Sequence, residues 1–162
     1  MNKYVFFWHA DGENGMLGNW YPCGFIKDGI SYVHTEQYMM AQKALLFDDQ
    51  EIFAAIMKET SPKKCKALGR KVRHFDNSVW NREKEKIMFD GCYAKFSQNA
   101  DLKEFLLSTG DKILAEASPL DRIWGIGLSA DNPKATDPNA WPGQNLLGKT
   151  LMKVRDRLKT TE

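Results

Sequence analysis

The sequence predicts a mainly helical α+β fold with a few short strands, forming one compact domain over residues 1–162. Three observations predict it. Most of the chain is made of helix-forming segments bounded by cap, Gly or Pro signals. Strand character is confined to short apolar runs near the N-terminus and one near residue 113. A chain of 162 residues, 43% hydrophobic and 27% charged, suits a single soluble core.

"YVFFW" reads as a short strand, and "CGFIKDGISYV" as a hairpin turning at Lys27-Asp28-Gly29. "HTEQYMMAQKALLF" follows as a helix with Thr35 as its cap. "DDQEIFAAIMKE" is an amphipathic helix that stops before "TSP". In "SPKKCKALGRKV", Ser61 is a cap, Pro62 occupies the first helical position and Gly69 closes the helix. The longest helical segment, about 18 residues, lies in "DNSVWNREKEKIMFDGCYAKFSQN" and is capped by Asn77 or Ser78. Its apolar positions form no neat stripe. "DLKEFLLSTG" is a helix closed by Gly110, and "KILAEAS" reads as strand or helix. From Pro119 to Gly143 the Pro, Gly, Asp and Asn content predicts loop, and loops of that length in compact domains are usually functional. "GQNLLGKTLMKVRDRLK" is the final helix.

A net charge of +2 makes no demand for a nucleic-acid or membrane partner. No stretch approaches the ~20 apolar residues of a membrane span. The apolar run at the start is too short for a signal peptide, and Cys23, Cys65 and Cys92 form no CxxC pair. These features predict a cytoplasmic protein. His9, His34 and His74 have no metal-ligand spacing, so neither a metal nor a cofactor is expected.

Chemistry concentrates in the first long helix. At about 100° per residue, a seven-residue step brings Glu36 and Lys43 onto one face, with Met40 and Phe47 beside them. Tyr38, Ala41 and Leu45 make the opposite side apolar too, which predicts a buried helix. The pair is then either a buried salt bridge or a carboxylate and amine lining a pocket. "DRIWGIGLS" places Asp121 and Arg122 before Trp124 and a Gly-Ile-Gly turn where bare backbone can approach a ligand, but it lacks the third glycine of a dinucleotide fingerprint. "WPGQNLLGK" offers helix N-terminal amides to an anion, and "GRKVRHF" supplies Arg70, Lys71, Arg73 and His74 either for a phosphate or as a solvated basic face. Trp20, Trp80, Trp124 and Trp141 are core residues or ring-stacking walls.

Four runs carry a resemblance: "LGNWYPCGFIKDGISYVHTEQYMMAQKALLFDD", "LGRKVRHFDNSVWNREKEKIMFDGCYAKFSQN", "LLSTGDKILAEASPLDRIWGIGLSADNP" and "WPGQNLLGKTLMKVR". Taken in order, they resemble the NADAR/YbiA-like family over nearly the whole chain. The resemblance implies a compact, largely helical domain with N-glycosidase activity. Its substrates would be ribosylamino-pyrimidine phosphates, the early riboflavin intermediates, or alternatively ADP-ribosyl-guanine in nucleic acid; a non-catalytic ADP-ribose-binding module is a third alternative. It implies catalytic roles for Glu36, Lys43 and Asp121, and substrate-binding roles for Trp80, Trp124, Arg122, Arg70, Asn19 and Gly125. The expected partner is a small-molecule substrate, with nucleic acid only under the alternative and no membrane. Gly18 stands where many relatives have Ser.

Overall fold

The computed structural model describes residues 2–161. Among them are six α-helices, four short strands and three 3-10 turns, a mainly helical α+β fold as expected. The chain forms two compact units, one from Pro22–Gln98 and one from the two chain ends, up to Tyr21 and from Asn99.

The Pro22–Gln98 unit begins with an antiparallel hairpin of β1 (Phe25–Lys27) and β2 (Ile30–Tyr32). Asp28 and Gly29 form its turn at φ 53° and 79°, the left-handed pair that suits the twist of a two-residue hairpin. Four helices follow: α1 (Thr35–Leu46), α2 (Gln50–Met57), α3 (Pro62–Gly69) and α4 (Asn77–Gln98). Helix α1 lies at the centre and packs against α2, α3 and α4. Its neighbours come close because they carry glycine at the contacts. A β-carbon on Gly91 of α4 would sit 2.7 Å from the Tyr38 ring, and one on Gly69 of α3 would overlap the Met40 sulfur. Phe25, Tyr32 and Tyr38 form a ring cluster with centroids 4.9–5.8 Å apart.

Two caps differ from expectation. Helix α1 is capped by His34, whose Nδ1 accepts the Gln37 N–H at 3.0 Å, and Thr35 is already helical. At the start of α4, Asp76 Oδ1 accepts the Ser78 and Val79 amides, so the cap precedes both Asn77 and Ser78. The helix runs 22 residues, longer than expected, with its Gly91 packed in mid-helix against Tyr38. Helix α1 is buried through its first turns, but Leu45 is 37% exposed, so burial on both sides does not extend to its end.

In the unit built from the chain ends, β3 (Tyr4–Phe7) pairs in parallel with β4 (Ile113–Glu116), with Tyr4 opposite Ile113. Strand propensity therefore wins in "KILAEAS". Helix α5 (Ala100–Ser108) packs on α6 (Leu146–Thr160), and α6 covers β4. Leu106, Leu114, Ile126, Leu147, Leu151 and Val154 are fully buried here. Helix α6 starts later than expected because Asn145 is left-handed at φ 54°. Its buried side chain ties the start of α6 to β4: Oδ1 accepts the Glu116 N–H, and Nδ2 donates to the Leu114 carbonyl. Residues 119–143 are loop apart from two short 3-10 turns, Pro133–Thr136 and Pro138–Ala140. No helix among the described residues is long and apolar enough to cross a membrane.

Candidate active site

The site is built outward from the start of α1. His34, Thr35, Glu36 and Gln37 are all buried there. His34 uses both ring nitrogens: Nδ1 accepts the Gln37 N–H, which leaves Nε2–H to donate to the Thr60 carbonyl at 2.8 Å. Gln37 uses both ends of its amide. Its Oε1 accepts the Val33 N–H, and its Nε2 donates to the Ile56 and Glu59 carbonyls. These contacts pin the first turn of α1 to the end of α2, and Glu36 stands between them at 4% exposure. A carboxylate in the first turn also meets the positive end of the helix dipole.

Lys43 lies about 10 Å further along the same face. It is half-buried. Its ammonium lies 4.7 Å from the centroid of the Phe75 ring and 5.6 Å from that of Trp80. Burial lowers its pKa, Arg70 at the end of α3 lowers it further, and the Glu36 carboxylate opposes both. Glu36, Lys43, Trp80 and Arg70 thus belong to one electrostatic neighbourhood. A buried carboxylate and an amine whose pKa is lowered, beside an aromatic wall, can move protons and attack an electrophilic carbon.

Phe75 was not foreseen. It lies in a loop, and nothing in the sequence links it to Lys43. Phe47, expected beside Lys43, packs on Phe75 with ring centroids 5.3 Å apart. Arg73 is not available to a phosphate in the way the basic run suggests. Its guanidinium holds the buried Asp49 carboxylate through two hydrogen bonds, its backbone N–H adds a third, and this depresses the Asp49 pKa well below the usual carboxylate range. Asp49 in turn caps α2 through the Ile52 amide.

The remaining candidates lie in the unit formed by the chain ends. Asp121 Oδ1 accepts the Ile123 and Trp124 amides, both at 2.9 Å, so this carboxylate shapes the loop that carries the half-buried Trp124. Arg122 is exposed and Asn19 is buried at 8% exposure. A β-carbon on Gly125 would lie 2.9 Å from the Asp121 carbonyl and 3.0 Å from that of Glu116, so the protein's own backbone already requires glycine there. One expectation is corrected here: the α6 N-terminus is not an open anion site. The amides of Gly143, Gln144, Asn145, Leu146 and Leu147 donate to the carbonyls of Ile126, Arg122, Gly125, Ile123 and Trp124. The same unit holds a cavity of about 540 Å³ lined by Tyr4, Phe6, Trp8, Phe105 and Lys112 among others. Of the sequence-predicted residues in this unit (Asn19, Asp121, Arg122, Trp124 and Gly125), none is among its described lining.

The profile of the NADAR domain matches residues 6–159. An N-glycosidase of Acanthamoeba polyphaga mimivirus is 46% identical, with 96% of each chain covered. A Vibrio vulnificus protein named as a riboflavin biosynthesis protein is 30% identical over 98% of this chain, which spans 40% of that relative's length. The NMR structure of Escherichia coli YbiA superposes with a TM-score of 0.82 at 28% identity, covering 99% of this chain and 88% of that one.

Proposed function

Since this chain belongs to the NADAR family and is an N-glycosidase, we propose that its substrates are the early riboflavin intermediates. These are 5-amino-6-(5-phosphoribosylamino)uracil and 2,5-diamino-6-(5-phosphoribosylamino)pyrimidin-4-one, which would be split into ribose 5-phosphate and the free base. The name of the Vibrio relative supports this substrate class. The observation that carries the chemistry is the half-buried Lys43 amine, with its pKa lowered, electrostatically coupled to the buried Glu36 carboxylate of the same helix.

In the proposed mechanism the ribosylamine ring opens to an imine at C1. Neutral Lys43 adds to C1, the base leaves as its free amine, and a Schiff base between C1 and Lys43 remains. Glu36 carries the proton from the attacking lysine to the departing nitrogen. Water then adds to C1, releasing ribose 5-phosphate as the aldehyde and regenerating the lysine amine. The Trp80 face stacks the planar base, and Arg70 binds the 5′-phosphate. For the other unit the roles that the family resemblance implies stand as proposals: Asp121 catalytic, and Trp124, Arg122, Asn19 and Gly125 substrate-binding.

The test is a product assay on the purified protein with each ribosylamino-pyrimidine and with ADP-ribosylated guanine. Release of ribose 5-phosphate supports the proposal. ADP-ribose alone would move the protein to the nucleic-acid substrate, and binding without product would make it a binding module. Glu36→Gln should lose more than about 100-fold in rate, the scale of a general acid–base contribution. Borohydride added during turnover should trap a sugar adduct on Lys43; its absence points to direct hydrolysis with Glu36 activating water.

A further inference from the structure

Phe75 presents an anomaly. It is a large apolar side chain left 43% exposed, yet the chain is anchored on both sides of it. Arg73, two residues before, is tied to Asp49 through its backbone N–H and guanidinium. Asp76, one residue after, accepts the Ser78 and Val79 amides and the Ser78 hydroxyl at the start of α4. Between them His74 is left-handed at φ 60°, which turns the chain sharply in a conformation that is costly for a residue with a β-carbon. Those anchors cap α2 and α4, and at Phe75 their effect is to hold a partly exposed ring in place. The ring stands over the Lys43 ammonium, backed by Phe47, while Trp80 covers the same nitrogen from α4.

We propose that Phe75 is a positioning residue that forms, with Trp80, a two-ring clamp on the ammonium of Lys43. The inference rests on the reading of Lys43 as the reactive amine. Ring faces attract a cation and not a neutral amine. The clamp therefore holds Lys43 while it is protonated and releases it once it is neutral, when it can swing to C1. The charged groups that act on Lys43 are Glu36 on its own helix and Arg70 at the end of α3; α4 presents the Trp80 ring. Glu36 and both rings favour the cation, whereas burial and Arg70 favour the neutral amine.

The test needs no substrate. Lysine amines are reductively methylated with a 13C label, which preserves their charge, and titrated by NMR, with Lys43 assigned from the signal lost in Lys43→Arg. Phe75→Leu removes the ring at a partly exposed position and should lower the Lys43 midpoint by about half a pH unit, what one cation–π contact supplies. Phe75→Tyr keeps a ring face and should titrate with the parent protein. In activity, the limb of the kcat/KM pH profile that reports Lys43 should move to lower pH by the same amount. An unchanged Lys43 midpoint in Phe75→Leu overturns the clamp. A shifted midpoint in a protein that yields no borohydride adduct upholds the clamp and removes the Schiff-base reading instead.

Discussion

Replacing Gln37 with Leu removes three hydrogen bonds while nearly preserving volume. The Val33 N–H and the Ile56 and Glu59 carbonyls, at 2.9, 3.2 and 3.1 Å from the amide, all lose their side-chain partner. A buried polar group left unsatisfied costs about 1–3 kcal/mol. The Ile56 carbonyl also accepts the Glu59 N–H, and the other two contacts are only partly buried, so each loss sits at the low end, about 1 kcal/mol, and the sum is about 3 kcal/mol. For a chain of this size each kcal/mol shifts Tm by roughly 2–4 °C, which gives a drop of about 6–12 °C. Thermal unfolding followed by circular dichroism, with a urea titration to convert midpoints into free energy, measures this directly. The folded fraction should also lose rate, because the turn holding Glu36 loosens. A Tm within about 2 °C of the parent would refute the claim that Gln37 pins this turn.

Two further outcomes follow from the hydrogen bonds. Burial lowers the His34 pKa from 6.5, and its Nδ1 can accept the Gln37 amide only when unprotonated. The unfolded chain therefore binds the proton first, so stability should be complete above about pH 6.5 and decline as the pH falls below it. His34→Gln should flatten that decline in urea midpoints measured across pH, and an equally steep decline in the variant would exclude His34 as its source. At Asp121, an asparagine keeps the oxygen that accepts the Ile123 and Trp124 amides. Asp121→Asn should unfold within about 0.5 kcal/mol of the parent, whereas Asp121→Ala should lose about 2 kcal/mol. Equal losses in the two variants would contradict a turn-forming role.

The local parts of this fold were legible because local chemistry decides them. Ser61-Pro62 opens α3, Asp28-Gly29 turns the hairpin, and the seven-residue step brings Glu36 and Lys43 to one side of α1. Structure set by distant partners was not legible. The pairing of Tyr4 with Ile113 joins remote parts of the chain, and neither strand's composition names the other. Arg73 read as one of several basic residues, and only the fold shows it bound to Asp49. Phe75 escaped for the same reason: its partner is Lys43, and no periodicity connects a loop residue to a helix face. The misread α6 N-terminus shows the converse, since the sequence revealed donors there without revealing that carbonyls from the same unit already occupied them.

That last arrangement makes the stretch from Arg122 to Ile126 the interlocking counterpart of residues 143–147. Neither half is complete without the other, so in hydrogen exchange these amides should open as one cooperative group. Within the intervening 129–141 segment Ala135 is buried in one cluster with Ile126, so inserted or deleted residues can be absorbed without unseating the halves only along the exposed stretch 136–139.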